Sequence, residues 1–304
     1  MRPIRPERGV TLIELVIAMV LVGIITAAIA FFLDPIRQST DLALRAELTD
    51  IADNTLQRIG REVKLALPNS VRSKTSGGAV YLEFLALRTG GRYRAGGGGL
   101  AGGTDCPDDG SGLPGSDRLT FGAVDTCFKT IGKLSDAIVA NSDHLVLFNL
   151  GPDPAGVDPV GYLDQNAYAA AAANRVLITA VDTSEGNRDR IVFNAKTFAQ
   201  ARHDSPSKRF FVVSGPVSYV CDPAAGTITR RWGYTESPLQ PVIFSDGSAA
   251  LIAENVGTCE FDYNPSVSPQ LGILTMRIRL QKALFGGANE TVSLYHAVHV
   301  NNAP

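Results

Sequence analysis

Hydrophobic and polar positions divide the chain into two unequal parts. From Val10 to Leu33, 24 residues carry one ionisable group, Glu14. At 1.5 Å per residue they make a helix of roughly 36 Å, enough to cross a hydrocarbon core of about 30 Å. Beyond this run, Leu44, Leu48, Ile51, Thr55, Ile59, Val63 and Ala66 recur at three- and four-residue steps. Arg45, Asp50, Asp53, Gln57, Arg61 and Lys64 lie largely off that stripe, as on an amphipathic helix. Leu67-Pro68-Asn69 ends the pattern, so one helix from Val10 to Ala66 is predicted, roughly 85 Å long. Asp34-Pro35 is the expected place for a kink, because proline removes a backbone bond.

After Asn69 the helical period disappears. Short apolar runs bounded by Gly, Pro, Asn and Asp predict strands at Val80–Leu87, Arg118–Val124, His144–Leu150, Arg175–Val181, Arg190–Ala195, Arg209–Ser214, Val217–Cys221, Thr227–Tyr234, Ile273–Leu280 and Val292–Val300. The turn Asp222-Pro223-Ala224-Ala225-Gly226 predicts a hairpin between Val217–Cys221 and Thr227–Tyr234. Residues 90–115 hold eleven glycines and read as a loop. Residues 151–174 mix Gly, Pro and Asp with the run Ala167–Ala173, where a short helix is expected. The predicted fold class is α+β: a long N-terminal spine helix packed on a mainly antiparallel β-sheet, in one elaborated globular domain.

Composition narrows the function classes. The 304 residues are 45% hydrophobic and 19% charged, an ordinary globular balance that excludes a disordered or collagen-like chain. Twenty-eight Lys and Arg against 30 Asp and Glu give a net charge of −2, so nothing advertises a nucleic-acid surface. The four cysteines form no C-x-x-C pair, which excludes the usual zinc ribbon.

The amino terminus carries the strongest chemistry. Residues 1–9 hold Arg2, Arg5 and Arg8 against Glu7, and this positive end orients the span with its leader in the cytoplasm. A cleavable signal peptide has a similar start, but its apolar stretch is usually about 7–15 residues, so a retained span is expected. Glu14 is costly there, by about 2.5 kcal/mol or more on insertion scales, unless a positive partner neutralises it. The segment Gly9-Val10-Thr11-Leu12-Ile13-Glu14-Leu15-Val16 resembles the processing site of type IV pilins and the related pseudopilins. That resemblance implies cleavage by prepilin peptidase between Gly9 and Val10 and N-methylation of Val10, although Val10 stands where phenylalanine is commoner. It also implies that Glu14, fifth in the mature chain, pairs with the free amine of a neighbouring subunit. Loss of three Arg and one Glu would take the charge from −2 to −4.

The domain plan implied is a cleaved leader (1–9), the transmembrane half of the spine (10–33), its periplasmic half (34–67) and a β-rich domain (68–304) with a glycine-rich insert (90–115). The resemblance places the chain in the inner membrane before assembly, in contact with lipid and an assembly platform, and afterwards in a fibre. All cysteines lie on the translocated, oxidising side, where disulfides are expected. Chain order favours Cys106–Cys127 and Cys221–Cys259, among three formal pairings.

Other constellations fit catalysis or binding poorly. Gly97-Gly98-Gly99-Leu100-Ala101-Gly102 matches G-x-G-x-x-G, but no helix pattern follows to supply aligned amides. Asp105, Asp108 and Asp109 are weak calcium candidates, with Pro107 and Ser116 at positions where a calcium loop needs ligands. His296 and His299 are three apart and would point to opposite faces of a strand. Arg88, Arg92, Arg94 and Tyr93 form a basic aromatic patch that could contact a single strand, against an overall negative charge. No G-x-S-x-G or H-E-x-x-H occurs, and no enzyme, resident metal, cofactor or nucleic-acid partner is expected.

Within the pilin class, three stretches resemble the O minor pilins of mannose-sensitive haemagglutinin (MSHA) pili, relatives of the J minor pseudopilins of type II secretion. They are residues 61–72 at the helix end, Phe210–Asp222 with Thr229–Tyr234, and Leu251 through Tyr263. The resemblance implies a subunit that primes or forms a tip complex with other minor pilins and the major pilin. A type II secretion pseudopilin and a tip adhesin displaying residues 90–115 and 151–174 are the alternative expectations.

Overall fold

The computed structural model describes residues 10–96, 118–151, 165–169, 174–184, 186–268, 271–284 and 288–304, with the side chains of 30–38, 96, 200 and 266–268 left aside. Its dominant element is α1, Leu12–Lys64, 53 residues and roughly 80 Å long. Helix continues through residues 34 and 35, where the sequence suggested a kink. It stops at Lys64, two residues before the expected end. Leu65 caps it, and Ala66 instead bridges to Ala86.

The strands are β1 (Arg72–Ser76), β2 (Ala79–Arg92), β3 (Ala95–Gly96), β4 (Leu119–Thr120), β5 (Val124–Lys129), β6 (His144–Leu147), β7 (Arg175–Asp182) and β8 (Arg190–Thr197). A short helix α2 (Gln200–His203) precedes β9 (Arg209–Asp222), β10 (Thr227–Trp232), β11 (Ser248–Glu254), β12 (Val256–Ser268), β13 (Leu271–Ala283) and β14 (Asn289–Asn301). The large sheet runs β1-β2-β9-β6-β7-β8-β5, and β10 with β11 branches from β9. A second sheet, β12-β13-β14, is antiparallel throughout. The architecture is therefore a long helix on mainly antiparallel sheet, the expected α+β class.

Both sheets close on the C-terminal half of α1. Leu48, Ala52, Leu56, Ile59 and Val63 from the helix stripe meet Leu82 and Phe84 of β2, Val217 and Tyr219 of β9, Met276 and Ile278 of β13, and Val298 of β14, all buried. Each of the Leu, Ile, Val, Met and Phe side chains among them contributes about 1.5–3 kcal/mol by leaving water. Gly60 lets β14 approach: a Cβ there would stand 3.0 Å from Val298 and 3.1 Å from the His296 ring. A disulfide between Cys221 on β9 and Cys259 on β12 ties the two sheets together. The predicted hairpin forms, with Thr227 opposite Asp222 and Trp232 opposite Val217.

Several strands differ from expectation. Arg209–Ser214 and Val217–Cys221 are one strand, β9, crossing Gly215 (φ 118°) and Pro216. Pro216 is tolerated because β6 pairs with β9 only up to Val213 and β10 begins at Val217, so its missing N–H interrupts no ladder on that side. Arg118–Val124 splits into β4 and β5 around Gly122 (φ 79°). Gly90 and Gly91 belong to β2 rather than to a loop, and β9 fills their side-chain space: a Cβ on Gly90 would lie 3.2 Å from the Phe210 carbonyl oxygen and 3.3 Å from the Phe211 ring, and one on Gly91 2.8 Å from the Phe210 ring. The alanine run is described only as far as Ala169, in a turn.

Strands β2 and β9 are neighbours, yet residues 93–208 lie between them in sequence. This excursion adds β6, β7, β8 and β5 to the edge of the sheet and has its own core. Phe121, Phe128, Phe193 and Phe198 cluster there with Tyr93 and Phe210, and the Phe128 and Phe210 rings lie 5.1 Å apart.

Candidate functional site

The N-terminal end of α1 is built by local chemistry. Thr11 is the N-cap and Glu14 stands three residues later, the spacing of a capping box. The Glu14 amide donates to Thr11 Oγ1 at 3.4 Å. In return the Thr11 amide and hydroxyl both donate to Glu14 Oε2, at 3.0 and 2.9 Å. The carboxylate also lies at the positive end of the helix dipole. A charge that is expensive in an apolar phase therefore has two local donors on one oxygen, and among the described residues Oε1 has no partner within the chain. Thr11 was not singled out from the sequence, although the T-x-x-E spacing announces it.

The helix that follows has no cover. Leu12–Ile29 has a mean hydropathy of 2.7, and none of it is buried. Leu12 is 83% exposed and Met19 67%, whereas Leu48, Ile59 and Val63 on the same helix are at 0%. An apolar cylinder of this size needs apolar surroundings from outside the chain, lipid or neighbouring helices.

The other candidates disperse. Val10 is exposed at the helix start, whereas Gly9 lies outside the described residues, as do Asp105, Asp108, Asp109, Cys106 and the glycine motif at 97–102. Cys127, on β5, is disulfide-bonded. His296 sits on the inner side of β14 against Gly60 while His299 is exposed, so the two do not converge. The basic aromatic patch dissolves: Tyr93 is fully buried and donates to Asp204 at 2.9 Å, and Arg88 is paired with the buried Asp143. Tyr93 is therefore not available for stacking on a base.

One buried polar cluster escaped sequence reasoning. Glu83 on β2, fully buried, accepts from Arg72 Nε at 2.7 Å and from the Tyr234 hydroxyl at 2.8 Å. The Arg72 guanidinium lies 3.7 Å from the centre of the Tyr168 ring and donates to the carbonyls of Ser237 and Pro238. Burial pushes the Glu83 carboxyl above the usual range, and the Arg72 charge pulls it part of the way back. The cluster pins the segment after β10 across the sheet face opposite α1, a structural role.

Residues 4–30 match the model of the prokaryotic N-terminal methylation motif. No curated protein and no solved structure matches the chain. The motif supports a type IV pilin or pseudopilin, and with it a structural subunit that prepilin peptidase processes and that assembles with pilus components. The uncovered apolar helix fits a membrane-anchored pilin.

Proposed function

We propose that this chain is a minor pilin of an MSHA-type type IV pilus, cut by prepilin peptidase between Gly9 and Val10, N-methylated on Val10 and placed in the priming or tip complex. The observation that carries it is the junction of the methylation motif with an uncovered apolar helix that runs unbroken into a folded β domain. The pilus assignment within the class is supported by the stretches 61–72, Phe210–Asp222 and Thr229–Tyr234, which form the helix end and the β9–β10 hairpin at the centre of the fold.

In this reading the globular domain faces the periplasm, the span waits in the inner membrane, and Glu14 Oε1 receives the free amine of a neighbouring subunit when the fibre forms. Two groups costly in lipid then become one compensated pair. Cys106 is taken as the partner of Cys127. The test is deletion of the gene in its native host, with sheared surface fibres counted and periplasmic retention of secreted enzymes assayed. Lost fibres with normal secretion support the pilus assignment, and retained enzymes with intact fibres would make the chain a type II secretion pseudopilin. If neither changes, a tip adhesin becomes the better reading.

A further inference from the structure

The second sheet has one covered face and one open face. Burial alternates along its strands: Leu274, Met276, Ile278 and Leu280 of β13 and Val298 of β14 point into the core that α1 closes. Between them Arg277, Arg279, Ser293, Tyr295 and Ala297 are exposed on the opposite side. The register sets Tyr295 directly opposite Arg277, and Ser293 opposite Arg279. Opposed side chains on such a face stand about 5 Å apart, and successive ones along a strand about 7 Å. Tyr295 is 59% exposed, with only the small Ser293 and Ala297 beside it on β14, so its ring is open to a flat partner. Among the described residues, Arg277 and Arg279 make no ion pair. Glu260 of β12 lies opposite Arg277 without pairing to it. The outward positions of β13 and β14 carry no carboxylate, and Glu290 turns inward to Arg45 of α1. Solvation of this face accounts for the arginines, but not for an open aromatic ring beside them.

We propose that the outward face of β13 and β14 binds an acidic polysaccharide, a chain of carboxylate-bearing sugars. The apolar side of one sugar ring lies on Tyr295, an amphipathic platform with an apolar ring and a hydroxyl tip. The carboxylate of that sugar meets the Arg277 guanidinium, whose fork of N–H donors matches its two oxygens, and the next carboxylate along the chain meets Arg279. Ser293 and the neighbouring exposed Gln281 and Thr291 supply hydrogen bonds for ring hydroxyls. Charge decides between this polymer and a nucleic acid. A single DNA strand brings one phosphate about every 3.4 Å. Glu260 and Asp262 on β12, together with a chain that is negative overall, oppose so dense an anion. Two arginines suit the sparser charge of a polyuronate, one carboxylate per sugar. A single exposed tyrosine also gives no series of platforms for successive bases.

The test is titration of the full chain in detergent with three probes: an oligogalacturonate, an uncharged malto-oligosaccharide of the same length, and oligo(dT) of the same charge. The oligogalacturonate should bind, more weakly as salt rises, and the neutral sugar should not. Arg277→Ala with Arg279→Ala should weaken binding about tenfold or more, and Tyr295→Ala about fivefold, whereas Tyr295→Phe should keep most of it. Because all three side chains are exposed, the urea midpoint of each variant should stay at the wild-type value, which separates lost binding from lost folding. Glu260→Gln removes a carboxylate beside Arg277 and should tighten binding about threefold. No binding of oligogalacturonate, equal binding of the neutral sugar, or full binding by the double arginine variant overturns the proposal. Tighter binding of oligo(dT) than of oligogalacturonate overturns the choice of a polysaccharide. None of these results bears on processing at Gly9, so the pilin reading stands or falls separately.

Discussion

Glu83 tests how burial and ion pairing balance in this domain. The carboxylate has no exposed surface, and Arg72 beside it is only 10% exposed. Glu83→Ala removes the partner of a buried guanidinium and the acceptor of the Tyr234 hydroxyl, a change that typically costs about 3–5 kcal/mol. Arg72 keeps two carbonyl acceptors and the Tyr168 ring, so the loss should fall near the lower end, about 3 kcal/mol. Glu83→Gln keeps the shape and the acceptor for Tyr234. Because the folded carboxyl titrates above its usual range, the native state binds the proton more readily than the unfolded chain does. Stability from this group is therefore fully present below the unfolded pKa and declines as pH rises through the folded one. Relative to wild type, Glu83→Gln should gain as pH rises from about 4 to 7, and at pH 7 it should cost far less than Glu83→Ala. Urea unfolding of the detergent-solubilised chain, followed by its single tryptophan, Trp232, measures all three proteins. If Glu83→Gln lost as much as Glu83→Ala at pH 7, or lost ground as pH rose, the ion pair would outweigh burial and the reasoning would fail.

Replacing Cys221 and Cys259 by Ser opens a link across 38 residues and should cost about 4 kcal/mol on the chain-entropy estimate, read by the same unfolding assay. Gly60→Leu should cost about 1–3 kcal/mol, because its side chain must displace Val298 and the His296 ring; unchanged stability would mean that β14 does not pack against Gly60. Leu56→Ala, at the centre of the helix–sheet core, should cost about 2–5 kcal/mol. Glu14→Ala should insert in the membrane and lose its leader normally but join fibres poorly, and a normal fibre number in that variant would count heavily against the amine pairing.

What was legible in the chain was local. The stripe from Leu44 to Ala66 marks the face of α1 that is buried, with Leu48, Ile59 and Val63 at its centre, because a helix of this length repeats its pattern many times. The Asp222–Gly226 turn carries its own chemistry, so the β9–β10 hairpin followed from it. Arg72–Ser76, with no apolar residue, forms a strand only because β2 lends it a ladder along the edge. Ser248–Glu254 is rich in alanine and has little local preference for a strand; pairing with β10 decides it. The 93–208 excursion depends on β2 meeting β9 across 116 intervening residues, and nothing local records that. The site divides in the same way. Glu14 stands out because a charge in an apolar run violates the pattern around it, whereas Glu83 and Arg72 look like ordinary polar residues of two strands until the sheet brings them together.

The most direct measurement is the mass of the amino-terminal peptide from protein isolated from its native host. A peptide that begins at Val10 and carries one added methyl group is the expected result, with Glu14 as the fifth residue after the cut. A peptide that retains Met1–Gly9, or a chain that begins beyond Leu33 after loss of the whole apolar run, would contradict a pilin-type subunit.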